Sequence, residues 1–309
     1  MKKNWHKKIT RNSVIYFDSC RDYRESLFLA GTGRSGTTWV SNIINYNNEY
    51  RYLFEPFHSK RVSLCRDFNY RQYLRPENTA QRFLEPATRI LSGKIRNLWV
   101  DSQNRKFIAR KRLIKEIRAN LFLKWLKTHF PEMPMILLLR HPCAVACSKI
   151  KLKWEIHLDD YLVQEKLMAD YLSPFKAIIT KSKDIFADHI IQWCIENYVP
   201  LQQFKKGEIL LLFYENFCVS PHEEIDKLYS FLNKEYDSSV FNVLKKPSSR
   251  SREGSAVLTG GDLINSWKKS VTTQQLQTTR LILHEFGLDS IYRDDSTPDP
   301  VIINRLLPE

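Results

Sequence analysis

Residues 26–47 constrain the possible fold more than any other stretch of the sequence. SLFLAGT is an apolar run of strand length that ends in glycine, and TTWVSNIINYN carries apolar residues at helical spacing. Gly31, Gly33 and Gly36 lie where the two patterns meet, and glycine lets the backbone turn sharply and approach a ligand closely. The stretch therefore predicts a buried strand, a tight glycine-rich loop and a helix, in that order.

The glycine-rich loop has the frame of a phosphate-binding loop with one departure. Residues 31–38 fit G-x-x-x-x-G-K-[ST], except that Thr37 stands in place of the lysine. Free N–H groups at the start of the following helix would still point at an anion, and Arg34 lies inside the loop. The apolar run MILLL ends in Arg140 rather than in an acid that could hold Mg²⁺. The loop therefore predicts an anion that the protein neutralises without a metal, which argues against an ATP-dependent kinase or ATPase.

Strand and helix patterns alternate along the rest of the chain. Strand patterns occur in RYLFEP, KFIARKRLIKE, MPMILLLR and EILLLFYE, and helical patterns occur in IRANLFLKWLKTHF, residues 158–206, HEEIDKLYSFLN and residues 264–287. Pro142 is suited to the first turn of a further helix. This alternation indicates a mostly parallel sheet covered by helices. We predict an α/β fold of the P-loop type, three α/β/α layers around a central parallel sheet of about five strands.

The charge and the apolar content restrict the possible partners. Lys and Arg number 48 against 34 Asp and Glu, and the net charge of +14 favours an anionic partner: nucleic acid, an anionic membrane, a nucleotide or an acidic polymer. The longest apolar runs are of strand length, which predicts no membrane span, and no signal-peptide core follows the basic N-terminus. None of the six cysteines forms a C-x-x-C pair, which favours a reducing compartment. We expect a cytoplasmic protein.

Two motifs in the sequence resemble those of the sulfotransferases that use 3′-phosphoadenosine 5′-phosphosulfate (PAPS). Their 5′-phosphosulfate loop has the form [KR]-S-G-[TS]-[TS]-[WF], and RSGTTW, from Arg34 to Trp39, fits it at every position. Their second motif places an arginine at a strand end and a serine eight residues later, as Arg140 and Ser148 stand in RHPCAVACS. The RSG form is most similar to the carbohydrate sulfotransferases. The resemblance extends over roughly residues 27–292.

Other segments add supporting similarity to the same family. LFEPFH resembles the EP motif that follows the second strand of carbohydrate sulfotransferases, and FYENF resembles a later strand end of the family. WKKSVTTQQLQ is similar to the C-terminal helix with a tryptophan and basic residues. KPSSRS stands where the family closes over the nucleotide, although it lacks the R-K-G of the cytosolic members.

The resemblance implies PAPS as co-substrate, no metal, and a set of nucleotide-binding residues. Those expected to bind PAPS are Gly33, Arg34, Ser35, Gly36, Thr37 and Thr38 around the phosphosulfate, Arg140 and Ser148 at the 3′-phosphate, and Ser249 and Arg250 in the closing loop. Trp39 has two interpretations: it packs on the adenine, or it is a helix residue buried against the sheet.

The resemblance also implies catalytic roles. Glu55 would take the proton of the acceptor hydroxyl, for which the pKa of its carboxyl would have to rise, and Arg34 would stabilise charge that develops in the transition state. Lys115, at the end of a strand, would contact the sulfuryl group or the acceptor. His58 is the rival base. His129 lies in KTHFP, which resembles the KTH-x-P motif of cytosolic sulfotransferases, but it stands at the end of a helix pattern.

The implied activity is transfer of a sulfuryl group from PAPS to a hydroxyl of an acceptor, a carbohydrate or another small molecule, with no nucleic-acid partner. Two alternatives stay open: a P-loop kinase or NTPase, and a non-catalytic binder of acidic polymers. Residues 60–105 and 150–206 are expected to shape the acceptor pocket. The expected domain boundaries are a basic N-terminal segment (1–26), the sulfotransferase domain (27–292) and a C-terminal tail (293–309).

Overall fold

A five-stranded parallel sheet organises the computed structural model, which describes residues 16–244, 246, 261–292 and 295–309. The sheet has the strand order β3-β5-β2-β6-β7, and the short strands β1 and β4 form a separate parallel pair. The strands are β1 Phe17–Asp18, β2 Ser26–Gly31, β3 Tyr50–Phe54, β4 Ile108–Ala109, β5 Lys111–Glu116, β6 Met135–Leu139 and β7 Leu210–Phe213.

Helices connect the strands and continue after β7. The α-helices of the described residues are α1 Thr37–Ile44, α2 Gln81–Leu91, α3 Leu123–His129, α4 Pro142–Lys151, α5 Asp159–Leu162, α6 Glu165–Leu167, α7 Lys176–Lys181, α8 Ile185–Gln203, α9 Tyr214–Val219, α10 Pro221–Phe231, α11 Val240–Leu244, α12 Thr273–Glu285, α13 Asp289–Tyr292 and α14 Pro300–Ile303. Shorter 3-10 turns occur at Tyr23–Glu25, Ser63–Cys65, Asn120–Phe122, Ser173–Phe175 and Ser266–Ser270, and a π-turn occurs at Met168–Leu172.

The sheet is buried on both faces, which explains why its strands are continuous apolar runs. Phe28 and Ala30 of β2 pack in one apolar cluster with α2, α4 and α8. Leu27 and Leu29 point to the opposite face and pack in a second cluster with α1 and α10. The predicted three-layer α/β/α fold with five parallel strands is thus confirmed.

The order of the strands reverses direction at one point of the sheet. From β2 the chain moves to β3 and β5 on one side, and then to β6 and β7 on the other side. Open parallel sheets bind ligands outside the carboxyl ends of their strands, at the point where the order reverses. Here that point lies between β2 and β6, directly beside the glycine-rich loop.

Two helices are shorter than the sequence pattern predicts. The pattern IRANLFLKWLKTHF begins at Ile117, but a 3-10 turn occupies Asn120–Phe122 and the α-helix begins at Leu123. The backbone amides of Ile117 and Arg118 donate to the Glu116 carboxylate, at 2.9 and 3.2 Å. The pattern of residues 264–287 divides because Thr272 forms a capping box with Gln275 and starts α12 there. At Thr272 a polar side chain thus captures a backbone amide, that of Gln275, that a continuous helix would use.

Buried charges join strand β1 to the five-stranded sheet near the N-terminus of the described chain. Asp18 accepts hydrogen bonds from the guanidinium groups of Arg51 and Arg112, the latter at 3.2 Å, and all three side chains are at most 1% exposed. Arg51 also binds Asp101 through two hydrogen bonds of 3.0 Å. Strand β1 is therefore attached to β3 and β5 by paired charges.

Candidate active site

The carboxyl edge of the sheet gathers the residues that the sequence singles out. The glycine-rich loop follows β2, Glu55 follows β3, Lys115 lies near the end of β5, and Arg140 follows β6. Parallel pairing aligns Phe54 with Lys115, and Ala30 with Glu116, so these strand ends lie at one level. Segments that are distant in the sequence therefore lie along one edge of the sheet.

The glycine-rich loop closes in an unusual backbone conformation. Gly36 has a φ of 93° and Arg34 a φ of 78°, in the left-handed region that only glycine adopts without strain. A Cβ on Gly36 would lie 2.5 Å from a ring carbon of Tyr214. Strained backbone of this kind is concentrated at functional sites, and here it curls the loop around the start of α1.

The loop presents donors that suit an anion. The amides of Trp39 and Val40 donate to the Gly36 carbonyl, at 2.9 and 3.1 Å, and the amides that precede them, in the first turn of α1, have no intrahelical acceptor. The Ser35 hydroxyl is buried and, within the described chain, has no hydrogen-bond partner. Buried polar groups in folded proteins are nearly always satisfied, so this orphan hydroxyl indicates a ligand site.

Two arginines lie beside the loop and connect it to α4. Arg34 Nε donates to Ser148 Oγ at 2.9 Å, and Arg140 Nη1 donates to the Arg34 carbonyl at 3.2 Å. The Arg140 guanidinium stacks 4.0 Å from the centre of the Tyr214 ring. Its buried Nε has no hydrogen-bond partner among the described residues. The structure therefore places both sequence motifs together, with donor capacity that an anion with two phosphate groups would use.

Glu55 is held between two cations. Its carboxylate accepts from Lys115 Nζ at 2.6 Å and from Arg118 Nη1 at 2.7 Å, and the residue is 5% exposed. Burial alone would raise the pKa of the carboxyl, but Lys115 and Arg118 outweigh burial and hold the pKa of Glu55 well below its usual range. For Glu55 to act as a base the pKa of its carboxyl would have to rise, whereas in this structure Lys115 and Arg118 lower it. Glu55 also has a φ of 45°, so its backbone is strained.

Glu116 and Arg118 follow Lys115 and also belong to the site. The motifs in the sequence did not indicate these two residues. Lys115 is buried, which lowers the pKa of its ammonium group, and it lies 4.7 Å from the centre of the Phe54 ring. Arg118 contacts Glu55, and Glu116 accepts from the Phe57 amide at 2.9 Å, which fixes the turn after β3. The signal that could have found them is KEIR itself, three charges clustered at a strand end.

The two histidine candidates occupy different places. His58 is half-buried one turn after Glu55, and burial together with Arg118 lowers the pKa of its imidazole to about 4, so the ring is neutral at pH 7. His129 ends α3, and its Nε2 is 3.0 Å from the backbone oxygen of Asn78, in a helix-terminal contact. Only His58 lies beside Glu55.

Trp39 is a buried residue of α1. The Trp39 ring is 8% exposed and packs against Tyr214 and Phe217, with ring centres 5.3 and 6.1 Å apart, so the buried-helix interpretation describes its position. Ser249 and Arg250 lie outside the described residues.

Two further residues shape the site, Trp154, which lies outside the motifs, and Glu215, which lies inside FYENF. Trp154 lies over the loop, since a Cβ on Gly33 would be 2.7 Å from its ring and 3.3 Å from Ile117 Cδ1. Glu215, the glutamate of FYENF, accepts from the His141 amide at 2.9 Å and from the Tyr292 hydroxyl at 3.1 Å. Because His141 follows Arg140 directly, Glu215 fixes the backbone that carries that arginine, and burial raises the pKa of Glu215 to about 7.

The described ranges contain neither a helix suited to span a membrane nor a side-chain cluster suited to hold a metal ion. No helix in them is both long and apolar enough to cross a bilayer. Nor do the described side chains include a group of three or more His, Cys, Asp or Glu placed to hold a metal ion.

Comparison with known proteins identifies the family. The family model for the sulfotransferase domain, which describes the sequences of that family, matches residues 24–285. No curated protein sequence matches the chain. Among solved structures, the sulfotransferase domain from the curacin biosynthetic pathway is 14% identical, with 88% of this chain and 98% of that chain covered and a TM-score of 0.45. A mouse sulfotransferase complexed with PAP is 15% identical, with 89% and 88% covered and a TM-score of 0.43.

A third similar structure is a sulfotransferase from Mycobacterium avium, 10% identical, with 94% of this chain and 81% of that chain covered and a TM-score of 0.47. These structural likenesses are distant, and the family assignment depends on the domain match, which spans most of the chain. That match excludes the kinase and the non-catalytic polymer binder as the principal interpretation. The chain belongs to the sulfotransferase family and is a sulfotransferase enzyme.

Proposed function

We propose that this enzyme transfers the sulfuryl group of PAPS to a hydroxyl group of a carbohydrate and releases PAP. PAPS supplies the sulfuryl group in activated form, attached to its 5′-phosphate. The proposal is supported by the contact of two candidate anion-binding elements at one edge of the sheet. Arg34, in the loop of Arg34–Trp39, forms hydrogen bonds with both members of the pair Arg140 and Ser148. A nucleotide with a 5′-phosphosulfate and a 3′-phosphate needs two such elements.

The residues present fit the nucleotide. The Ser35 hydroxyl and Arg140 Nε are buried and lack partners in the described chain, so each has a hydrogen bond to give. The first-turn amides of α1 face the same space, and a helix N-terminus favours negative charge. Arg34 and the loop amides would hold the phosphosulfate, while Arg140 and Ser148 would hold the 3′-phosphate, since a guanidinium suits phosphate.

Glu55 is the proposed acceptor of the hydroxyl proton. Its low pKa keeps it ionised at neutral pH, so it has the lone pairs that a base needs, but the same two cations weaken it as a base. A carboxylate regains basicity when a cation leaves it. Lys115 can turn toward the loop because β5 lies directly beside β2, and Arg118 then keeps Glu55 in position.

The carbohydrate acceptor rests on the RSG and EP motifs, which resemble those of carbohydrate sulfotransferases. Trp154, half-buried over Gly33, is the proposed wall against which a sugar ring or another apolar face would pack. Retinol dehydratase, a similar structure, has been solved in complex with androsterone and with retinol.

Transfer assays with radiolabelled PAPS test the proposal. The full chain is incubated with labelled PAPS and a panel of mono- and oligosaccharides, with a steroid and a retinoid as comparison acceptors. We expect label on a carbohydrate, and a loss of about 10²–10⁴-fold in turnover for Glu55→Gln, the usual contribution of a general base. Labelling of only the steroid or the retinoid would refute the carbohydrate acceptor. Near-normal turnover of Glu55→Gln would refute the assigned base and direct attention to His58.

A further inference from the structure

The small sheet of β1 and β4 has its polar and apolar faces reversed. Phe17 pairs with Ile108, and Asp18 pairs with Ala109. Because successive side chains of a strand point to opposite faces, the two pairs lie on opposite faces of this sheet. Asp18 and Ala109 are 2% and 3% exposed, whereas Phe17 and Ile108 are 50% and 66% exposed. The sheet therefore turns a carboxylate toward the protein and apolar side chains toward solvent.

Buried ion pairs fix this orientation. The Asp18 carboxylate accepts from Arg51 of β3 and from Arg112 of β5. Turning β1 over to bury Phe17 would withdraw Asp18 and leave Arg112 with no ion-pair partner among the described residues, a costly state for a buried charge. The Phe17 amide also donates to the Phe107 carbonyl at 2.7 Å, which attaches the segment of β4 to β1. The outward apolar face is consequently fixed by the fold.

A third apolar side chain enlarges this face. Phe107 is 56% exposed, and its ring stacks on that of Tyr16, with ring centres 5.8 Å apart. Phe17, Phe107 and Ile108 together present on the order of 300 Å² of apolar surface, since a whole phenylalanine side chain has about 150–250 Å². An exposed apolar patch of that size on a single chain is often an interaction site.

Cationic segments lead into both strands. Residues 1–15, before β1, contain five Lys or Arg and no Asp or Glu, and residues 102–115, around β4, contain six Lys or Arg and no Asp or Glu. Four of the latter six pair with acids of other segments. Arg105 and Lys106, which directly precede Phe107, form no ion pair with the described part of the chain. Positive charge that the fold does not use thus borders the apolar face.

The combination of apolar groups and cations favours one kind of partner. A second copy of the chain would bring the same cations together, and like charges repel. An acidic polymer would neutralise the cations through its own charges but leave Ile108 in water. The surface of an anionic bilayer satisfies both features. Apolar and aromatic side chains enter the boundary between headgroups and acyl chains, while Lys and Arg are attracted to the anionic headgroups.

The position of the face is compatible with catalysis at the other end of the sheet. β4 leads into β5, whose carboxyl end carries Lys115. An extended chain rises about 3.3 Å per residue, which places Ile108 on the order of 20 Å from Lys115. A partner bound at this amino end of the sheet would leave the glycine-rich loop and Glu55 facing away from it, open to both substrates.

We propose that the apolar face of Phe17, Phe107 and Ile108 is a docking surface for anionic phospholipid bilayers. The three side chains enter the interface of the bilayer, and Arg105 and Lys106 contact the phosphate and carboxylate groups of the lipids. Attachment of this kind is peripheral, reversible and sensitive to salt. It holds whichever hydroxyl compound accepts the sulfuryl group.

Co-sedimentation of the full chain with lipid vesicles tests this surface. Vesicles of phosphatidylcholine alone are compared with vesicles that also contain phosphatidylserine. We expect binding only to the anionic vesicles, weakened by high salt. Phe107→Ser with Ile108→Thr should lower the partition coefficient at least tenfold, and so should Arg105→Gln with Lys106→Gln. The melting temperature should not change, since none of these four side chains is buried.

The matched control removes exposed apolar side chains elsewhere. Val163→Thr with Leu281→Ser alters residues that are 75% and 67% exposed, directly after α5 and within α12, and should bind vesicles as the native chain does. An equal loss in this control would mean that general hydrophobicity drives binding, and would overturn the proposal. Absence of binding to anionic vesicles, or native binding by either variant of the face, would also overturn it. A dimer that Phe107→Ser with Ile108→Thr dissociates would assign the face to a second copy instead.

Discussion

At the scale of single residues, the site depends on one carboxylate shared by two cations. The EP motif at a predicted strand end singled out Glu55, and the structure places this residue directly after β3. Its pairing could not be predicted, since Lys115 and Arg118 come from another strand and reach Glu55 only after β3 pairs with β5. Spacing along the chain carries no information on such contacts across the sheet.

Glu55→Gln should reduce stability as well as turnover. Removing one member of a buried ion pair leaves an uncompensated charge, which typically lowers the free energy of unfolding by about 3–5 kcal/mol. Urea denaturation of Glu55→Gln measures this loss. Glu49→Gln is the control, because Glu49 also joins two lysines, Lys111 and Lys234, but is more exposed, and should lose only about 1 kcal/mol or less. Equal small losses would contradict the buried pair.

The effect of pH on the same variant has a definite sign. Because the folded state lowers the pKa of Glu55, its ionised form stabilises the fold fully above the ordinary carboxyl pKa of 4.5, and this contribution is lost as pH falls toward the lowered value. The stability difference between the native chain and Glu55→Gln should therefore be constant from pH 6 to 8 and shrink below about pH 4.5. A difference that grows on acidification would contradict the lowered pKa.

At the scale of elements, the sequence was sufficient to predict the glycine-rich loop and the helix after it. It did not indicate that the side chain of Trp154 covers the loop. Glycines between a strand and a helix favour a ligand cradle, and the second motif, with Arg140 and Ser148, was needed to support that prediction. Trp154 reaches the loop from the turn after α4, where its amide donates to the Lys149 carbonyl at 3.0 Å and Lys153 has a φ of 53°. Nothing in the apolar pattern around Trp154 marks that turn.

Gly33→Ala should therefore weaken PAP binding, through a clash with Trp154. The added Cβ would lie 2.7 Å from the indole ring, closer than van der Waals contact allows. We expect roughly a tenfold or greater loss of PAP affinity, equivalent to about 1.4 kcal/mol or more. The double variant Gly33→Ala, Trp154→Ala should recover most of the affinity. No recovery would mean that the alanine acts on the loop backbone itself, and that Trp154 does not constrain the loop.

At the scale of the whole molecule, the sequence was sufficient to predict the layers, the parallel sheet and the edge where the site lies. Continuous apolar strands between helices leave few other arrangements. The sequence did not reveal the small β1–β4 sheet, because two-residue strands have no period. The buried ion pairs of Asp18 could not be predicted from the sequence either, since they join three distant parts of the chain.

Asp18 should contribute strongly to global stability. Asp18→Ala leaves Arg112 with no ion-pair partner among the described residues and deprives Arg51 of one of two. We expect a loss of about 3–5 kcal/mol in the free energy of unfolding, measured by urea denaturation. Asp22→Ala, in an exposed pair with Arg24, should lose about 1 kcal/mol or less. If the two variants are equally stable, β1 does not anchor the sheet.

Calorimetric titration with PAP in the absence of Mg²⁺ tests the central claim most directly, which is that the loop and the Arg140–Ser148 pair form one nucleotide site. The account predicts that PAP binds without metal and that Arg140→Ala weakens binding by about 1.5–3 kcal/mol, the usual value of a hydrogen bond to a charged group. Arg96→Ala, which removes an exposed arginine, should leave the affinity unchanged. Binding of ATP only with Mg²⁺, or an Arg140→Ala variant that binds PAP as tightly as the native chain, would contradict it.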